Sequence, residues 1–527
     1  MDTLSSCINM ISPNCYMASV DLQDAYYTVP IAHNDQKYLK FVWKNKLFAF
    51  TCLPNGLASG PRLFTKLMKP VLATLREKGH CISGYLDDGF LVNDTYDSCL
   101  AGVSDTVKLL ESLGFLVQYE KSVLLPSKQI EHLGFILDSE SMTVRVNKDK
   151  ITKLIEKATF VSKTKEVVIR EVATLIGLMV SCFPGVEHGQ LFYRQLEIEK
   201  SKALRISQGN FEAKMTLSKQ AREDIEWWIK NLPSAYKPIS RPAPVCTLTT
   251  DASLEGWGAT RNEAVVTGGR WRESENLDNN INYLELLAVF LGLQSLCSDL
   301  HHTHVLVQTD NATTVSYIKH MGGSYSSCCN EIARCIWEWC ICRNIWLTVT
   351  HIPGRLNELA DKHSRVFDDK TEWKLHPDVF KHISNTFGKP SVDLFASRLN
   401  YQLCPYIAWR PDPQAVAIDA FTVSWNAYDL CYIFCPFSVI PVVLKKIREE
   451  GAEVIMVLPR WPTQAWYATL QSMLVAPPLH LGAQRDLLTL PFRPDQTHPL
   501  LKKLNLMACR LSGSACRKRT FQKELYT

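Results

Sequence analysis

Two neighbouring carboxylates, Asp87 and Asp88, stand between the apolar runs 81–84 and 89–92. The pattern predicts a β-hairpin with both acids at its turn. Because consecutive strand side chains point to opposite faces, both carboxylates can serve one site only where the backbone bends. Adjacent carboxylates repel each other unless solvent or a divalent cation lies between them. A solvated Asp-Asp turn is the commoner meaning of an isolated pair, so the surrounding motifs decide between the two interpretations.

The pair stands among other motifs in a fixed order. A predicted strand over 17–20 runs into Asp21-Leu-Gln-Asp-Ala-Tyr26, and a second predicted strand pair covers 39–43 and 47–50. Leu53-Pro-Asn-Gly-Leu57 is typical of a loop before a helix over 62–78, and further predicted elements are a helix over 98–113 and strands near 115–119 and 132–137.

The ordered motifs resemble the palm of a reverse transcriptase over nearly all of residues 15–140. Asp21-x-x-Asp-Ala-Tyr, Leu-Pro-x-Gly-Leu and Tyr-Leu-Asp-Asp are similar to the palm motifs A, B and C. Residues 113–121 resemble motif D, and His132-Leu-Gly-Phe135 resembles the primer-grip motif. Five motifs in this order are unlikely to coincide by chance.

The resemblance implies a polymerase site that holds two Mg²⁺ ions, with Mn²⁺ as an alternative. Asp21 and Asp87 would be direct ligands, with Asp88 alongside, because hard cations favour carboxylate oxygens. Tyr26 would lie under the sugar and exclude a 2′-hydroxyl, and Lys121 would protonate the leaving pyrophosphate.

Two departures from the family pattern bear on the polymerase. Asn55 stands where retroviral enzymes commonly carry glutamine, although it remains a candidate contact for the nucleotide. In that family a basic fingers region precedes motif A, whereas the 20 residues before Asp21 contain no Lys or Arg. We therefore expect either that the chain is truncated at its start or that another polypeptide supplies the fingers.

Residues 146–245 are rich in lysine and carry apolar residues at helical spacing. Helices are predicted over 146–162, 165–181 and 217–232, followed by a proline-rich linker over 233–244. Their position after the palm suggests a thumb and connection, and a basic helical patch can grip a phosphate backbone. A solvated helix face has the same pattern.

A second set of acids begins at Asp251, at the end of a predicted strand. Asp310 ends another strand, Glu285 lies in an otherwise apolar helix, and Asp361 follows Asn357 at the start of a last helix. A glutamate on an apolar helix is costly unless it is paired or bound to metal. The predicted element order over 246–366 is three strands, helix, strand, helices, strand, helix.

This pattern resembles RNase H over roughly 120 residues. The four acids Asp251, Glu285, Asp310 and Asp361 fall on that family's metal ligands, and His351 begins a motif similar to its flexible histidine loop. The resemblance implies two-metal hydrolysis of the RNA strand of an RNA–DNA hybrid, with His351 aiding water activation or product release.

Strands and helices alternate again after residue 366, which predicts a small α/β domain with a parallel sheet. Val392-Asp-Leu-Phe-Ala396 near its start resembles the methyltransferase-like domain that follows RNase H in DIRS-type retrotransposons. Phe434-Cys-Pro-Phe437 lacks the polar residue and one proline of the methyltransferase motif, so we expect a non-catalytic fold in which Asp393 keeps the position of a cofactor-site acid. A purely structural module is the alternative.

Composition is that of a globular protein, with 46% hydrophobic and 21% charged residues and a net charge of +5. The 18 cysteines form no CxxC pair, and we expect Cys328, Cys329, Cys340 and Cys342 to be buried thiols in a reducing compartment. No signal peptide or membrane-spanning apolar run is present. These features predict an intracellular protein of the cytoplasm or nucleus, with no membrane partner.

Together the patterns predict a multidomain protein of mixed α+β and α/β class. The expected domains are a palm with its fingers largely missing (1–145), a helical thumb, connection and linker (146–245), an RNase H-like mixed five-stranded sheet with helices (246–366), a degenerate methyltransferase-like α/β domain (367–500) and a basic tail (501–527). The expected partners are an RNA–DNA hybrid, an RNA template, a DNA primer and deoxynucleoside triphosphates, with the tyrosine recombinase of such elements as a further candidate.

The predicted function is that of a retroelement replication protein with RNA-directed DNA polymerase and RNase H activities. One alternative is that only RNase H works, because the fingers are missing. The other is a decayed or co-opted copy that binds nucleic acid without catalysis. Seven intact acids argue against decay.

Overall fold

The computed structural model describes residues 2–514, apart from 276–279, 368–371, 483 and 485. The chain divides into two compact units, residues 1–242 and 243–527, and the division falls inside the predicted linker. Helices and sheets occur in both units, which confirms the predicted mixed multidomain class. No helix in the described part of the chain is both long and apolar enough to cross a membrane.

The first unit begins with the strands and helices of the predicted palm. Their bounds are α1 Leu4–Ile8, β1 Tyr16–Gln23, β2 Lys40–Trp43, β3 Lys46–Ala49, α2 Gly60–Glu77, β4 Cys81–Tyr85, β5 Asp88–Asn93, α3 Tyr96–Ser112, β6 Leu116–Val117 and β7 Val123–Ser127. One sheet has the order β4-β5-β1-β6, and β7 also pairs with β1. Helices α2 and α3 bury their apolar stripes in a core with β1, β4 and β5. The predicted acidic hairpin is therefore formed by β4 and β5.

The rest of the first unit is a small sheet followed by helices. The elements are β8 Gln129–His132, β9 Phe135–Asp138, β10 Thr143–Val146, α4 Lys148–Lys163, β11 Val167–Val168, α5 Ile169–Cys182, α6 Arg194–Ile206, β12 Lys214–Met215, α7 Lys219–Asn231 and β13 Lys237–Pro238. The predicted strand over 132–137 is instead a hairpin, because Leu133 and Gly134 both adopt positive φ and reverse the chain. Helix α6 was not predicted.

The second unit begins with a sheet and helices whose order matches the prediction. The elements are β14 Cys246–Ala252, β15 Gly256–Arg261, β16 Val265–Arg270, α8 Ile281–Leu296, β17 Thr303–Thr309, α9 Ala312–Lys319, α10 Ser327–Arg343, β18 Ile345–His351 and α11 Glu358–Arg365. The five-stranded sheet has the order β16-β15-β14-β17-β18. Strand β17 is parallel to both of its neighbours, whereas β15 is antiparallel to both of its own. The predicted mixed five-stranded sheet is confirmed.

Side-chain caps fix where several helices start. Asn280, Asn311 and Ser326 each precede a helix of the second unit and accept a hydrogen bond from a backbone N–H two or three residues into its first turn. Helix α8 is apolar on nearly every face because it packs against β14 and β15 on one side and α10 on the other.

A close approach brings α11 onto the sheet at Gly258. A Cβ at this position would overlap the carbonyl oxygen of Ala360 and lie 2.7 Å from the backbone nitrogen of Ser364, and both of these residues belong to α11. Only glycine allows this approach between a strand and a helix.

We therefore predict that Gly258→Ala destabilises the second unit by about 1–3 kcal/mol, the usual cost of overpacking. The matched control is Gly269→Ala in β16, where an added Cβ would meet its nearest atoms at 3.6 Å, an ordinary contact. Chemical denaturation of the two variants beside the parent chain measures the difference. Equal stability of both variants would contradict a steric requirement at Gly258.

The C-terminal elements form a second sheet in the same unit. They are β19 Lys374–Leu375, α12 Pro377–Phe387, β20 Val392–Asp393, β21 Ile407–Ala408, β22 Ala417–Ile418, β23 Cys431–Ile433, α13 Ile440–Glu450, β24 Glu453–Pro459, α14 Tyr467–Gln471, β25 Leu479–His480, β26 Leu488–Thr489, α15 Leu501–Leu504 and β27 Leu506–Ser512. The main sheet has the order β20-β23-β24-β27-β25. The first three strands are parallel, but β27 is antiparallel to both neighbours, so the prediction of a parallel sheet is correct only for part of it.

Strand β27 corrects the predicted start of the basic tail at residue 501. Residues 506–512 pair with the whole of β24 and are almost entirely buried. Successive side chains of this strand point to opposite faces of the sheet, and both faces are covered by apolar side chains. Residues 515–527, which contain most of the basic residues of the predicted tail, lie outside the described residues.

The cysteine prediction is correct in part. Cys329 and Cys340 are buried in α10, whereas Cys328 is half-buried and Cys342 is exposed. The thiols among the described residues are free.

Candidate nuclease and polymerase sites

The carboxylates of the second unit meet at one edge of its sheet. Asp251 lies near the end of β14, and Asp310 comes directly after β17. These two strands are parallel and Thr249 pairs with Gln308, so both acids reach the same edge. Glu285 reaches the same point from α8, which packs on β14.

The three carboxylates form a compact cluster. Their oxygen atoms lie within 4.8 Å of one another, and this is the only such group in the part of the chain that the structure describes. Asp251 and Glu285 are each 4% exposed. The pKa of Glu285 is raised to about 8, first by burial and then by the charges of Asp251 and Asp310. Burial likewise raises the pKa of Asp251 to about 6, and Asp310 and Asp361 add to this rise.

One oxygen of the cluster lacks a partner. The Oε2 atom of Glu285 is fully buried and accepts no hydrogen bond among the described residues. A buried carboxylate oxygen without a donor is costly unless a cation binds there. Three oxygen donors of this kind suit a hard divalent ion such as Mg²⁺. The residues present therefore fit the predicted metal.

Side chains of α11 hold Asp251 in place. Ser364 donates a hydrogen bond from Oγ to Asp251 Oδ2 over 2.6 Å. Asn357 donates from Nδ2 to the Thr250 carbonyl oxygen at 3.0 Å and to Asp251 Oδ1 at 3.4 Å. Neither residue was predicted as part of the site, although Asn357 lies in the histidine-loop motif. These contacts depend on the close approach of α11 at Gly258.

Asp361, the fourth predicted ligand, is not in the compact cluster. It lies in the first turn of α11, and its Oδ1 accepts a hydrogen bond from Arg365 Nε at 2.7 Å. The negative charge of Asp361 still contributes to the raised pKa of Asp251. His351 ends β18 beside the cluster, with its Nε2 2.9 Å from the carbonyl oxygen of Asp310. The structure thus brings His351 and three of the four acids together and leaves Asp361 close by.

We predict that Glu285→Gln stabilises the metal-free chain at neutral pH by about 1–3 kcal/mol. Because burial and the charges of Asp251 and Asp310 raise the pKa of Glu285 to about 8, this carboxyl must take up a proton on folding at pH 7, whereas the amide needs none. The amide can also donate hydrogen bonds to Asp251 and Asp310, and bonds to charged groups contribute about that much. Thermal unfolding in EDTA measures the gain.

The matched experiment adds MgCl₂. The parent chain should gain stability from bound metal, whereas the Glu285→Gln variant should gain much less. Asp299→Asn alters a carboxylate that is 61% exposed and pairs with Arg261, and it should leave the response to Mg²⁺ unchanged. A variant that is less stable than the parent in EDTA would contradict the repulsion described above.

The acids of the first unit meet where β1, β4 and β5 join. Asp21 lies opposite Asp88 across β1 and β5, while Tyr85 lies opposite Asp88 across the hairpin. Leu86 has a φ of 56°, and this left-handed residue forms the bend that places Asp87 beside β1. The backbone N–H of Leu22 donates to the Asp87 carbonyl oxygen at 3.1 Å.

Burial and like charges act on Asp88. They raise the pKa of this carboxyl to about 7, through burial first and then through Asp87 and Asp21, and Asp88 also hydrogen-bonds to Asp21. Lys121 opposes the rise, so its ammonium group lies near enough to act on this site. The described residues of this site do not form a three-carboxylate group as compact as that of the second unit.

Two of the three predicted nucleotide contacts, Tyr26 and Lys121, lie near these acids. Burial raises the pKa of Tyr26, and Asp87 and Tyr85 contribute to the rise. The ring of Tyr26 packs edge-on against Phe64 of α2, with ring centroids 5.3 Å apart. Asn55 donates from Nδ2 to the hydroxyl of Tyr27 at 3.2 Å. The structure therefore places Tyr26 and Lys121 within electrostatic range of the acids.

The C-terminal sheet offers a different environment. Asp393 in β20 is 2% exposed, and its Oδ2 accepts a hydrogen bond from the backbone of Gln402 at 3.0 Å. Burial raises its pKa to about 7. Phe434 and Pro436, after β23, line a cleft together with Phe395 and Phe421. Asp393, which was predicted to keep the position of a cofactor-site acid in a non-catalytic fold, is thus a buried carboxyl held by the backbone of the loop that follows β20.

Comparisons with known proteins identify the first of these regions. Residues 1–137 match the family of reverse transcriptases (RNA-dependent DNA polymerases). The chain is 23% identical over 371 residues to a putative enzymatic polyprotein of Cassava vein mosaic virus, a match that covers 68% of this chain and 54% of that one. It is 28% identical over 187 residues to the Gag-Pol polyprotein of avian reticuloendotheliosis virus, covering 34% and 16%.

Among solved structures, the foamy viral protease-reverse transcriptase in complex with an RNA/DNA hybrid is similar with a TM-score of 0.40 and 16% identity, covering 70% of this chain and 49% of that one. The chain spans about half the length of the Cassava vein mosaic virus polyprotein and a smaller share of the avian one. Residues 1–137 are therefore similar to the reverse transcriptase domain of retroelement and viral polyproteins.

Proposed function

We propose that this chain is a retroelement replication protein that hydrolyses the RNA strand of RNA–DNA hybrids and carries an RNA-directed DNA polymerase palm. The observation that supports the hydrolase is the cluster of Asp251, Glu285 and Asp310, with its unpartnered buried oxygen. The reverse transcriptase family match supports the polymerase. The same proposal assigns 246–366 to an RNase H-like domain and 367–512 to a methyltransferase-like module without catalysis, in an element of the DIRS type.

The residues of the nuclease site have distinct parts in this reaction. Asp251, Glu285 and Asp310 would hold the metal, with Asp361 as a further ligand. Metal ions held by these carboxylates would supply Lewis-acid chemistry, lowering the pKa of a bound water and neutralising charge on the departing 3′-oxygen. Ser364 and Asn357 orient Asp251 through the hydrogen bonds described above. His351 lies at the exposed end of β18 beside Asp310, where it would aid water activation or product release.

In the palm, Asp21 and Asp87 would hold the metal ions beside Asp88. Tyr26 is placed to lie against the sugar of an incoming deoxynucleoside triphosphate, and Lys121 can deliver a proton near the leaving pyrophosphate. Asn55 would contact the nucleotide or its template base. The substrates of this site would be an RNA template and a DNA primer, and the candidate tyrosine recombinase would act on the product.

The test of the hydrolase uses an RNA–DNA hybrid labelled on its RNA strand, incubated with the full chain and MgCl₂. We expect the RNA in the hybrid to be cut, while the same RNA in an RNA duplex stays intact. No cleavage by a folded chain would overturn the hydrolase and favour the alternative in which the chain binds nucleic acid without catalysis.

A second candidate is an enzyme in which only the hydrolase works. It is favoured by one observation, because among the described residues the compact carboxylate group occurs in the second unit and not in the palm. Primer extension on an RNA template distinguishes the two. Extension that Asp87→Asn abolishes supports the polymerase, whereas cleavage without extension supports the hydrolase-only enzyme.

A further inference from the structure

The hairpin of β2 and β3 is exposed along its whole length. All eight residues of the two strands face solvent, and Trp43 is 62% exposed. Its turn is a tight one, because Lys44 and Asn45 both adopt the left-handed φ that two-residue hairpin turns require. The base of the hairpin is anchored by backbone pairing between Pro30 and Cys52. The two strands thus form a defined surface that the rest of the first unit does not cover.

One face of this hairpin is aromatic. Phe41 and Phe48 lie opposite each other across the two strands, with stacked rings whose centroids are 5.6 Å apart. Trp43 follows Phe41 by two residues, so it lies on the same face. The ring of Phe50 extends the cluster, 4.8 Å from that of Phe41. The opposite face carries the cross-strand pair Val42 and Leu47, which is aliphatic.

The charge of the hairpin is entirely positive. The hairpin, residues 40–49, contains three lysines, Lys40, Lys44 and Lys46, and no aspartate or glutamate, and Lys37 lies in the turn before it. All four lysines are exposed, and Lys46 lies directly opposite Trp43 on the aromatic face. An aromatic face bordered by lysines is the kind of surface that binds single-stranded nucleic acids, because bases stack on the rings and phosphates pair with the ammonium groups.

We propose that the β2–β3 hairpin is a binding site for single-stranded nucleic acid, in which Phe41, Trp43 and Phe48 stack on unpaired bases and the lysines contact the phosphates. Such a site tolerates any base, because every base has a face that can stack. The proposal goes beyond the two catalytic sites and rests on the proposed function only in taking nucleic acid as the substrate of this chain. A protein partner is the competing occupant, but an acid-free hairpin with three lysines favours a polyanion.

The test measures fluorescence anisotropy of labelled oligonucleotides of about 12 nucleotides, within the range of site sizes of single-strand-binding modules. The full chain is titrated in EDTA without nucleotides, so neither catalytic site can act. We expect the double variant Trp43→Ala, Phe48→Ala to raise the Kd at least about tenfold, because each base that stacks on an aromatic ring contributes a large part of the binding free energy. Val42→Ala with Leu47→Ala is the matched control on the opposite face and should change the Kd less than about twofold.

Two further sets of binding measurements identify the type of nucleic acid that the hairpin binds. Oligo-dT and oligo-U are compared to separate DNA from RNA, and a blunt duplex is included because its bases are not free to stack. The aromatic variant should lose affinity for one or both single strands and keep its affinity for the duplex. The double variant Lys44→Gln, Lys46→Gln should show a weaker salt dependence. The slope of the logarithm of the association constant against the logarithm of salt concentration should become shallower by about 0.7 for each phosphate that is no longer neutralised.

The results that overturn the proposal are specific. Equal Kd values for the aromatic variant and the parent chain would mean that the hairpin does not bind the strand and would favour a protein occupant. Equal losses of affinity in the aromatic and aliphatic variants would mean a general effect on the fold. If cleavage and primer extension both fail while the aromatic variant alone weakens binding, the proposed function falls and the hairpin site stands.

Discussion

Replacing Asp310 by asparagine should lower the rate of hybrid cleavage by at least about a hundredfold to a thousandfold. A neutral amide keeps the shape of the side chain but removes the charge that would neutralise a bound cation, and removing one preorganised electrostatic interaction at a reacting centre costs about that factor. Asp310 is the least enclosed acid of the cluster, so its replacement leaves the buried side of the cluster in place. The single-turnover rate with saturating hybrid measures the chemical step.

Two control variants locate the effect. Asp299→Asn changes an exposed carboxylate in the same unit and should cleave at the parent rate. Ser364→Ala removes the hydroxyl that donates to Asp251, and removing a group that positions a ligand typically costs about tenfold to a hundredfold. If Ser364→Ala acts by positioning, raising the Mg²⁺ concentration should recover part of its rate. An Asp310→Asn variant with more than a tenth of the parent rate would contradict the assignment.

Replacing Arg398 by methionine should destabilise the second unit by about 3–5 kcal/mol, the usual cost of breaking a buried ion pair. The guanidinium donates to both carboxylate oxygens of Glu275, over 2.7 and 3.0 Å, and to the carbonyl oxygen of Arg270 at 2.8 Å. The side chains of Arg398 and Glu275 are 5% and 17% exposed, respectively. Methionine fills the space but removes the guanidinium from the carbonyl oxygen of Arg270 and from the carboxylate of Glu275, which keeps a hydrogen bond from the backbone N–H of Arg272 at 2.7 Å.

The size of this effect has a direct control in the same unit. Lys445 pairs with Glu449 on the surface of α13, where the two side chains are 72% and 60% exposed, and Lys445→Met should cost less than about 1 kcal/mol. Combining Arg398→Met with Glu275→Leu should recover part of the loss, because no buried charge is then left without a partner. Chemical denaturation measures all three. A loss below about 1 kcal/mol for Arg398→Met would mean that water reaches this pair.

This ion pair joins the two sheets of the second unit. Glu275 follows β16 of the first sheet, and Arg398 lies in the loop after β20 of the second. The backbone N–H of Arg398 also donates to Asp412 Oδ2 at 3.2 Å, and Asp412 accepts from the hydroxyl of Tyr406. The side chain of Thr267 in β16 donates to the carbonyl oxygen of Pro411. The sheet of β14 to β18 and the C-terminal sheet are therefore held together by polar contacts across β16.

The sequence was most informative where short-range patterns determine the structure. The hairpin around Asp87 and Asp88 follows from two apolar runs and a bend, and the order of elements between β14 and α11 follows from their hydrophobic periods. The meeting of Asp251, Glu285 and Asp310 could be predicted because parallel strands place their ends on one edge. These features depend on local pattern and on simple topology.

Features that depend on distant contacts were missed. The hydrogen bonds of Ser364 and Asn357 to the region of Asp251 require α11 to pack on β15, and the only trace of this in the sequence is a glycine at 258. Arg398 and Glu275 are 123 residues apart, so no local pattern could pair them. Strand β27 was predicted as part of a basic tail because its partner, β24, lies about fifty residues earlier.

The position of β27 sets a condition on how this protein is made. The strand is not at an edge of its sheet but between β24 and β25, so β24 has one unpaired edge until residues 506–512 leave the ribosome. At about 5–20 residues per second, synthesis of the stretch between them takes several seconds. During that time an apolar strand edge is open to other chains, and such edges are where aggregation begins. Production of the full chain should therefore benefit from abundant chaperones, whereas slower translation would lengthen the exposure of this edge; the first unit can fold before the hazard arises.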